Sequence, residues 1–166
     1  QNIDITNSSG STFTTTNTAV AFENSGVDLA NDATTTINTG TGAGSVTFDG
    51  AIETDGDDDD VLTITSGSGD VTFSGAIGVT EELGELNVNA TGSGDGDIIF
   101  SGNIGDSSGA GVIGTTTIGT SSTEDITFSS TIYSFGDDTT ITTADGDNIK
   151  LTAAATTTFS TSADDI

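Results

Sequence analysis

A short phrase recurs along the chain at a nearly constant interval, and this repeat limits the possible folds more than any other feature. It reads SVTFDGAI at residues 45–52, DVTFSGAIG at 70–78, DIIFSGNIG at 97–105 and DITFSSTI at 125–132. A weaker copy, DNIKL, occupies residues 147–151. In the copy at 70–78, Val71 and Phe73 alternate with Thr72 and Ser74, which is the period of a half-buried strand.

A second motif lies between the copies and keeps a similar interval. It ends at Ile64, Val88, Ile118 and Ile141, whereas the main phrase is marked by Phe48, Phe73, Phe100 and Phe128. Two interleaved motifs that share a period of about 23–30 residues indicate a structural repeat. A unit of this length holds two or three short strands and must bury its apolar face against its neighbours.

The repeat predicts an all-β fold, a parallel β-helix (β-solenoid) of about five to six rungs, with rungs roughly 4.8 Å apart. It forms a single domain over residues 1–166, with divergent N-terminal rungs at 1–43 and regular repeats at 44–166. Equivalent residues then stack in three internal columns: Phe48, Phe73, Phe100 and Phe128; Ile52, Ile77, Ile104 and Ile132; and Leu62, Leu86 and Thr116. The alternative is an antiparallel Ig-like β-sandwich, which does not require the same residue at the same place in every unit.

Composition agrees with strands and turns and excludes several kinds of partner. Threonine makes up about a fifth of the chain, and only residues 81–86, EELGEL, look briefly helical. The formal net charge is -25, with Lys150 as the single cation. Nucleic acids and anionic membrane surfaces attract Lys and Arg, so we expect no nucleic-acid binding and no membrane insertion. The absence of Cys excludes a disulfide framework.

The same composition predicts that the protein is not an enzyme. Without His, Cys or Arg, no Ser–His or Cys–His nucleophile and no His- or Cys-based zinc site can form. Two acidic pairs, Asp95 with Asp97 and Asp145 with Asp147, have the residue types of a glycosidase. Each pair lies in a Gly-rich turn, where carboxylates are usually only hydrated.

Calcium is the cofactor that the acidic turns would suit, because it binds several carboxylate and carbonyl oxygens. The candidate metal ligands are Asp55, Asp57, Asp58, Asp59, Asp60, Asp95, Asp97, Asp145 and Asp147. The alternative interpretation is a set of hydrated turns that keep the rungs soluble.

Four threonine runs suggest a further alternative. They occupy residues 14–16, 34–36, 115–117 and 156–158. If they lined one flat face, that face would resemble those of ice-binding β-solenoids. Ordinary β-propensity and outward-facing Thr columns explain the same runs without a ligand.

The phrases SVTFDGAI, DVTFSGAIG, DIIFSGNIG and DITFSSTI, each followed by a Leu-x-Ile-like strand, resemble the repeats of large bacterial surface proteins of the filamentous haemagglutinin and autotransporter type. The resemblance covers residues 44–151 and implies a right-handed β-helix. It also implies an extracellular or cell-surface location in a bacterium and a role in adhesion, matrix or filament formation. The secretion domain and barrel of that family are not seen in this sequence.

These observations predict a non-enzymatic extracellular structural protein, a subunit or fragment of a surface filament, matrix or adhesin. Residues 3–5 and 151–166 contain no Pro and no capping helix, so we expect the ends to associate head to tail or to continue in a longer chain. Gln1 is not an initiator Met, which predicts a processed chain or a piece of a longer one. The competing hypothesis is an adhesin module that binds glycans or a host surface through edge loops such as residues 105–111.

Overall fold

A computed structural model describes residues 2–30, 32–56, 59–92 and 96–161. These residues form short strands and no helix. Turn 1 contains β1 (Ile3–Ile5), β2 (Ser11–Thr14) and β3 (Val20–Phe22); turn 2 contains β4 (Val27–Leu29), β5 (Thr34–Asn38) and β6 (Val46–Phe48); turn 3 contains β7 (Ile52–Thr54), β8 (Val61–Ser66) and β9 (Val71–Phe73). Turn 4 contains β10 (Glu85–Ala90) and β11 (Ile98–Phe100); turn 5 contains β12 (Thr116–Ile118) and β13 (Ile126–Phe128); turn 6 contains β14 (Ile132–Phe135), β15 (Thr139–Ile141) and β16 (Ile149–Leu151); β17 (Thr158–Thr161) follows.

The chain winds through three parallel sheets in a fixed order and forms a β-solenoid of about six turns. Sheet 1 contains β1, β4, β7, β14 and β17; sheet 2 contains β2, β5, β8, β10, β12 and β15; sheet 3 contains β3, β6, β9, β11, β13 and β16. In turns 4 and 5, single parallel bridges at Ile77 and Ile104 take the place of a sheet 1 strand. Every pairing between described strands is parallel, so the β-helix prediction is confirmed and the antiparallel sandwich is wrong.

Sheet 3 carries the predicted column of phenylalanines in its interior. Phe22, Phe48, Phe73, Phe100 and Phe128 stack ring on ring. Neighbouring centroids are 4.7–5.4 Å apart, and the ring planes differ by only 5–6°. The third predicted column is also confirmed, since Leu62 pairs with Leu86 and Leu86 with Thr116. Rings that stay nearly parallel over four steps show that successive turns are related by little more than a translation.

The isoleucine column differs from the prediction at its last member. Ile52, Ile77 and Ile104 stack as expected, but Tyr133 and not Ile132 continues the column. Alternation along β14 turns Tyr133 and Phe135 inward and leaves Ile132 half-buried on the other side. The Tyr133 ring packs edge-on against Phe128 at 4.7 Å, and its hydroxyl donates to the Phe100 carbonyl at 3.2 Å. Because side chains alternate along a strand, this one-residue shift exchanges the two faces.

The N-terminal segment and the EELGEL segment at residues 81–86 also join the stack. The N-terminal residues build turn 1 and most of turn 2, in register with the later turns: Phe13 pairs with Ile37 and Phe22 with Phe48. The EELGEL segment is not helical. Its Leu83 forms a parallel bridge with Val112, and β10 begins at Glu85.

Candidate functional site

Both ends of the solenoid present unpaired strand edges on all three sheets. At the first end, β1, β2 and β3 each pair with one neighbouring strand, and at the other end β15, β16 and β17 do the same. This holds among the residues that the structure describes. Such edges expose rows of N–H and C=O groups that can pair with a further strand.

The end turns also expose apolar side chains that belong to the internal columns. Five of the seven large exposed hydrophobic residues in the described chain lie there: Ile3, Phe13, Ile149, Leu151 and Phe159. Leu151 stacks on Phe128 and Phe13 on Ile37, but each has a turn on one side only. Leu151 is 57% exposed and Phe13 36% exposed, because no described turn covers them.

Carboxylates form a ladder along the entrance to sheet 3. The Asp97 amide donates to Asp70 Oδ1 at 3.1 Å, and the Asp125 amide donates to Asp97 Oδ1 at 3.1 Å. The Asn148 amide continues the series to Asp125 Oδ1 at 2.9 Å. Each side chain therefore joins its own turn to the next one by accepting a backbone hydrogen bond.

The ladder places like charges near one another, and the pKa values of Asp97 and Asp125 shift in opposite directions. Partial burial raises the pKa of Asp97, and the neighbouring charges of Asp70 and Asp125 add to this increase. Asp125 behaves oppositely, because Lys150 Nζ forms an ion pair with its Oδ2 and lowers its pKa. The same contact raises the pKa of Lys150. Lys150, the single cation of the chain, thus offsets the negative charge of Asp125, the last carboxylate of the ladder.

The predicted calcium ligands do not form a shared site within the described residues. Asp57, Asp58 and Asp95 lie outside those residues. Asp55 and Asp59 are exposed, whereas Asp60 is fully buried and its Oδ1 accepts the Ala33 amide at 3.0 Å. In the described part of the chain, no three acidic side chains are arranged to hold a metal ion.

The other candidate ligands lie on separate turns of the stack. Asp97 belongs to the ladder, and Asp145 and Asp147 flank Gly146 near the last turn, the first exposed and the second half-buried. Calcium binding at residues 55–60 stays a prediction. A calcium-dependent rise in the melting temperature that is lost in Asp59→Asn would support it.

The threonine runs do not line one face. Alternation within β5 and β12 turns Thr35 and Thr116 into the interior, where both are buried. Thr158 lies in β17 of sheet 1, paired with Ile132. The outward threonines of sheet 2 come instead from alternate positions of several strands.

A groove lies beside the edge loop that was considered for glycan binding. The turn at residues 106–110 forms one wall, and β14 and β17 form the other, enclosing about 490 Å³. Ser108 and Gly109 hold the Asp106 carboxylate with three hydrogen bonds of 2.6–3.0 Å, and these contacts lower its pKa. This carboxylate therefore stabilises the turn that forms the groove wall.

Asp70 and Asp125 belong to the carboxylate ladder but are not among the predicted site residues, although a recurring acidic residue in the sequence points to them. An acidic residue precedes the strand in the copies at 70–78, 97–105 and 125–132. Recurrence at one place in a solenoid means stacking, so these side chains had to lie in one column. The recurrence predicts that the carboxylates stack in one column. It does not predict that each carboxylate accepts an amide hydrogen bond from the next turn.

The fold defines the class of protein: the described chain is a parallel β-solenoid. No protein-family model matches the chain, no curated protein matches it, and no solved structure matches it. In the described residues, no helix has the length and hydropathy required to cross a membrane.

Proposed function

We propose that this protein is a non-enzymatic, extracellular structural protein that assembles end to end into a filament or surface layer. The observation that carries the proposal is that both ends expose unpaired edges of all three sheets together with the apolar side chains of the internal columns. The resemblance of the repeats to bacterial haemagglutinin and autotransporter surface proteins supports the location and the role. The -25 formal charge suits a saline exterior, where salt screens repulsion between subunits.

The columns make the two ends complementary. Leu151 ends the column that begins with Phe22, and Ile149 ends the column that begins with Val20. A second copy that places its β3 on β16 and its β2 on β15 would have to displace its β1, because β17 already lies on β14 in sheet 1. The columns of sheets 2 and 3 would then continue across the junction. Contacts between different surfaces of identical subunits do not close on themselves unless the rotation permits a ring, so they generate filaments.

The test blocks one end at a time. Leu151→Lys and Phe13→Lys each place a charge in an end column, as natural edge strands often do to prevent pairing. Val79→Lys is the matched control, because Val79 is 38% exposed but belongs to turn 4 in the middle of the stack. In high salt we expect linear particles by electron microscopy and sedimentation for the wild type and Val79→Lys. Both end variants should remain monomeric.

Mixing the Leu151→Lys variant with the wild type tests whether the two ends of a subunit bind each other. The Leu151→Lys subunit keeps an intact first end, so a small fraction of it should join wild-type filaments and shorten them. A wild-type protein that stays monomeric at high concentration and high salt would overturn end-to-end assembly. So would end variants that assemble as well as Val79→Lys.

A second candidate function is glycan binding, which the groove at residues 106–110 favours. Ser107, Ser108, Ser134, Thr158 and Ser160 place hydroxyl groups along its walls. Hydroxyls in a concave site can exchange hydrogen bonds with sugar hydroxyls. A glycan array would test this role. Binding that survives Ser134→Tyr and Ser160→Tyr, which fill the groove, would exclude the groove as the site.

A further inference from the structure

The outer surface of sheet 2 carries two regular columns of threonine and asparagine, which we call the threonine–asparagine array. One column contains Thr12, Thr36, Thr63, Asn87, Thr117 and Thr140, and the other contains Thr14, Asn38, Thr65, Asn89, Gly119 and Thr142. Eleven of the twelve positions are therefore Thr or Asn. The residues between the columns, such as Ile37, Ile64 and Val88, point inward and are buried.

The array is regular in both directions. The six strands pair without a bulge through the first column, and through the second column as far as Asn89, so neighbouring members there are roughly 4.8 Å apart. Gly119, which is buried and has a φ of 78°, and Thr142 directly follow β12 and β15 and lie outside this pairing. The two columns are two residues apart along each strand, or about 6.6 Å. Inside sheet 3, the stacked phenylalanine rings differ in plane by only 5–6° per turn, so these rings rotate little from one turn to the next.

The chemistry of the array contrasts with the rest of the molecule. No charged residue occupies any of its twelve positions, although the formal net charge of the chain is -25. The equivalent outer positions of sheet 1 begin with Asp4, Asp28 and Glu53, and those of sheet 3 include Ile99 and Lys150. The two columns are thus uncharged, although Glu85 of β10 lies outward beside the first column on the same sheet.

The hydroxyl groups of the array are available to a ligand. Within the described residues, none of its eight threonine hydroxyls takes part in a hydrogen bond, and only Asn38 and Asn87 use their amides locally. Each threonine offers a hydroxyl that can bond to water next to a methyl group that water solvates poorly. The ligand that fits is therefore uncharged, flat, repetitive and rich in hydrogen-bonding groups.

We propose that the threonine–asparagine array binds the surface of ice. Holding liquid water in a fixed arrangement costs entropy, whereas the water of an ice surface is already ordered on a repeating lattice. An array of fixed hydroxyls therefore gains more from ice than from liquid water. Crystalline polysaccharide is the other repetitive surface, but the twelve positions contain no aromatic side chain on which sugar rings could stack.

The experiment compares the same substitution on two sheets. Thr63→Tyr places a bulky ring in the middle of the array, and Thr72→Tyr places it at the outer position of sheet 3 between Thr47 and Ile99. Thermal hysteresis and inhibition of ice recrystallisation are measured for both variants and the wild type, with circular dichroism to establish the fold. We expect the wild type and Thr72→Tyr to depress ice growth equally and Thr63→Tyr to lose more than half of the effect.

A second variant keeps the test decisive if Thr63→Tyr fails to fold. Asn87→Lys introduces a charge at the centre of the array next to Glu85, which already accepts a hydrogen bond from this position. It should lose the same fraction of activity. Absence of hysteresis and ice shaping in the wild type would overturn the proposal. Equal losses in Thr63→Tyr and Thr72→Tyr, or sedimentation with crystalline cellulose or chitin in place of ice binding, would also do so.

Discussion

The middle turns and the end turns use the same columns but place them in different environments. Phe73 lies between Phe48 and Phe100 and is 1% exposed, whereas Leu151 in the same column has only Phe128 beneath it. In a solenoid each turn contacts only its two neighbours, so the burial of a residue depends on the number of neighbouring turns. The type of the residue matters less than its position along the stack.

This comparison implies a gradient of stability along the molecule. A middle turn is stabilised by two interfaces and an end turn by one, so the ends should open at a lower free-energy cost. The carboxylate ladder follows the same rule, since Asp97 accepts an amide from one neighbouring turn and donates its own amide to the other. A partner bound at either end would give the end turn a second interface and would therefore remove this gradient of stability.

The largest expected effect separates the middle of the phenylalanine column from its end. Phe73→Ala removes a ring that is stacked on both sides and should lower the free energy of unfolding by about 3–5 kcal/mol. Leu151→Ala removes a side chain that is mostly exposed and should cost less than about 1 kcal/mol. Urea denaturation of both variants and the wild type measures the difference. Similar losses would show that the end turns are covered in solution.

The next effect tests how closely turns approach at a corner of the stack. A Cβ on Gly75 would lie 2.2 Å from the Gly50 carbonyl group in the turn below, and one on Gly102 would meet Gly75 at 2.1 Å. We expect Gly75→Ala to lower the free energy of unfolding by about 1–3 kcal/mol through this clash.

Gly109→Ala is its control, since its nearest neighbour is only the flexible end of Glu82 at 3.2 Å. That variant should stay within about 0.5 kcal/mol of the wild type. Equal melting curves for the two variants would mean that the corner has room to separate the turns.

The columns could be predicted from sequence because stacking is a matter of spacing. Phe48, Phe73 and Phe100 recur at one place in a repeated phrase, and a winding chain must bring them together. Tyr133 was missed because the third copy of the phrase continues with Ile104 and the fourth with Ile132, which look equivalent. The Tyr133 and Phe135 rings occupy both inward positions of β14, so Ile132 faces outward. The spacing of the repeat does not predict which of these neighbouring side chains turns inward.

The surface of sheet 2 could not be predicted for a different reason. Runs of three threonines suggested one flat face, but alternation turns the middle threonine inward at Thr35 and Thr116. The threonine–asparagine array is assembled from every second residue of six strands, and its members become neighbours only once the register is known. The unpaired strand edges of the first and last described turns, in contrast, lie where the sequence places strands without Pro, at residues 3–5 and 149–151.

The smallest expected effect is a difference in the pH dependence of stability between Asp97 and Asp125 of the carboxylate ladder. Burial raises the pKa of Asp97, so between its ordinary value of 3.8 and its folded value the native state binds more protons than the unfolded state. Stability therefore falls as the pH rises through that interval. Lys150 lowers the pKa of Asp125, so its contribution is present above 3.8 and is lost as the pH falls through its folded value.

Asparagine at either position keeps an Oδ1 that can accept the amide of the next turn, which makes Asp97→Asn and Asp125→Asn a matched pair. At neutral pH and low salt, Asp97→Asn should raise the melting temperature by about 1–2 °C, since solvent screens most of the repulsion. Asp125→Asn should lower it slightly. Thermal melts across the acidic range should show both differences shrinking at low pH, where the carboxyls are protonated, and in high salt, where they are screened. If Asp97→Asn destabilised the protein at neutral pH, the ladder would depend on the charge of Asp97 and not only on its hydrogen bond.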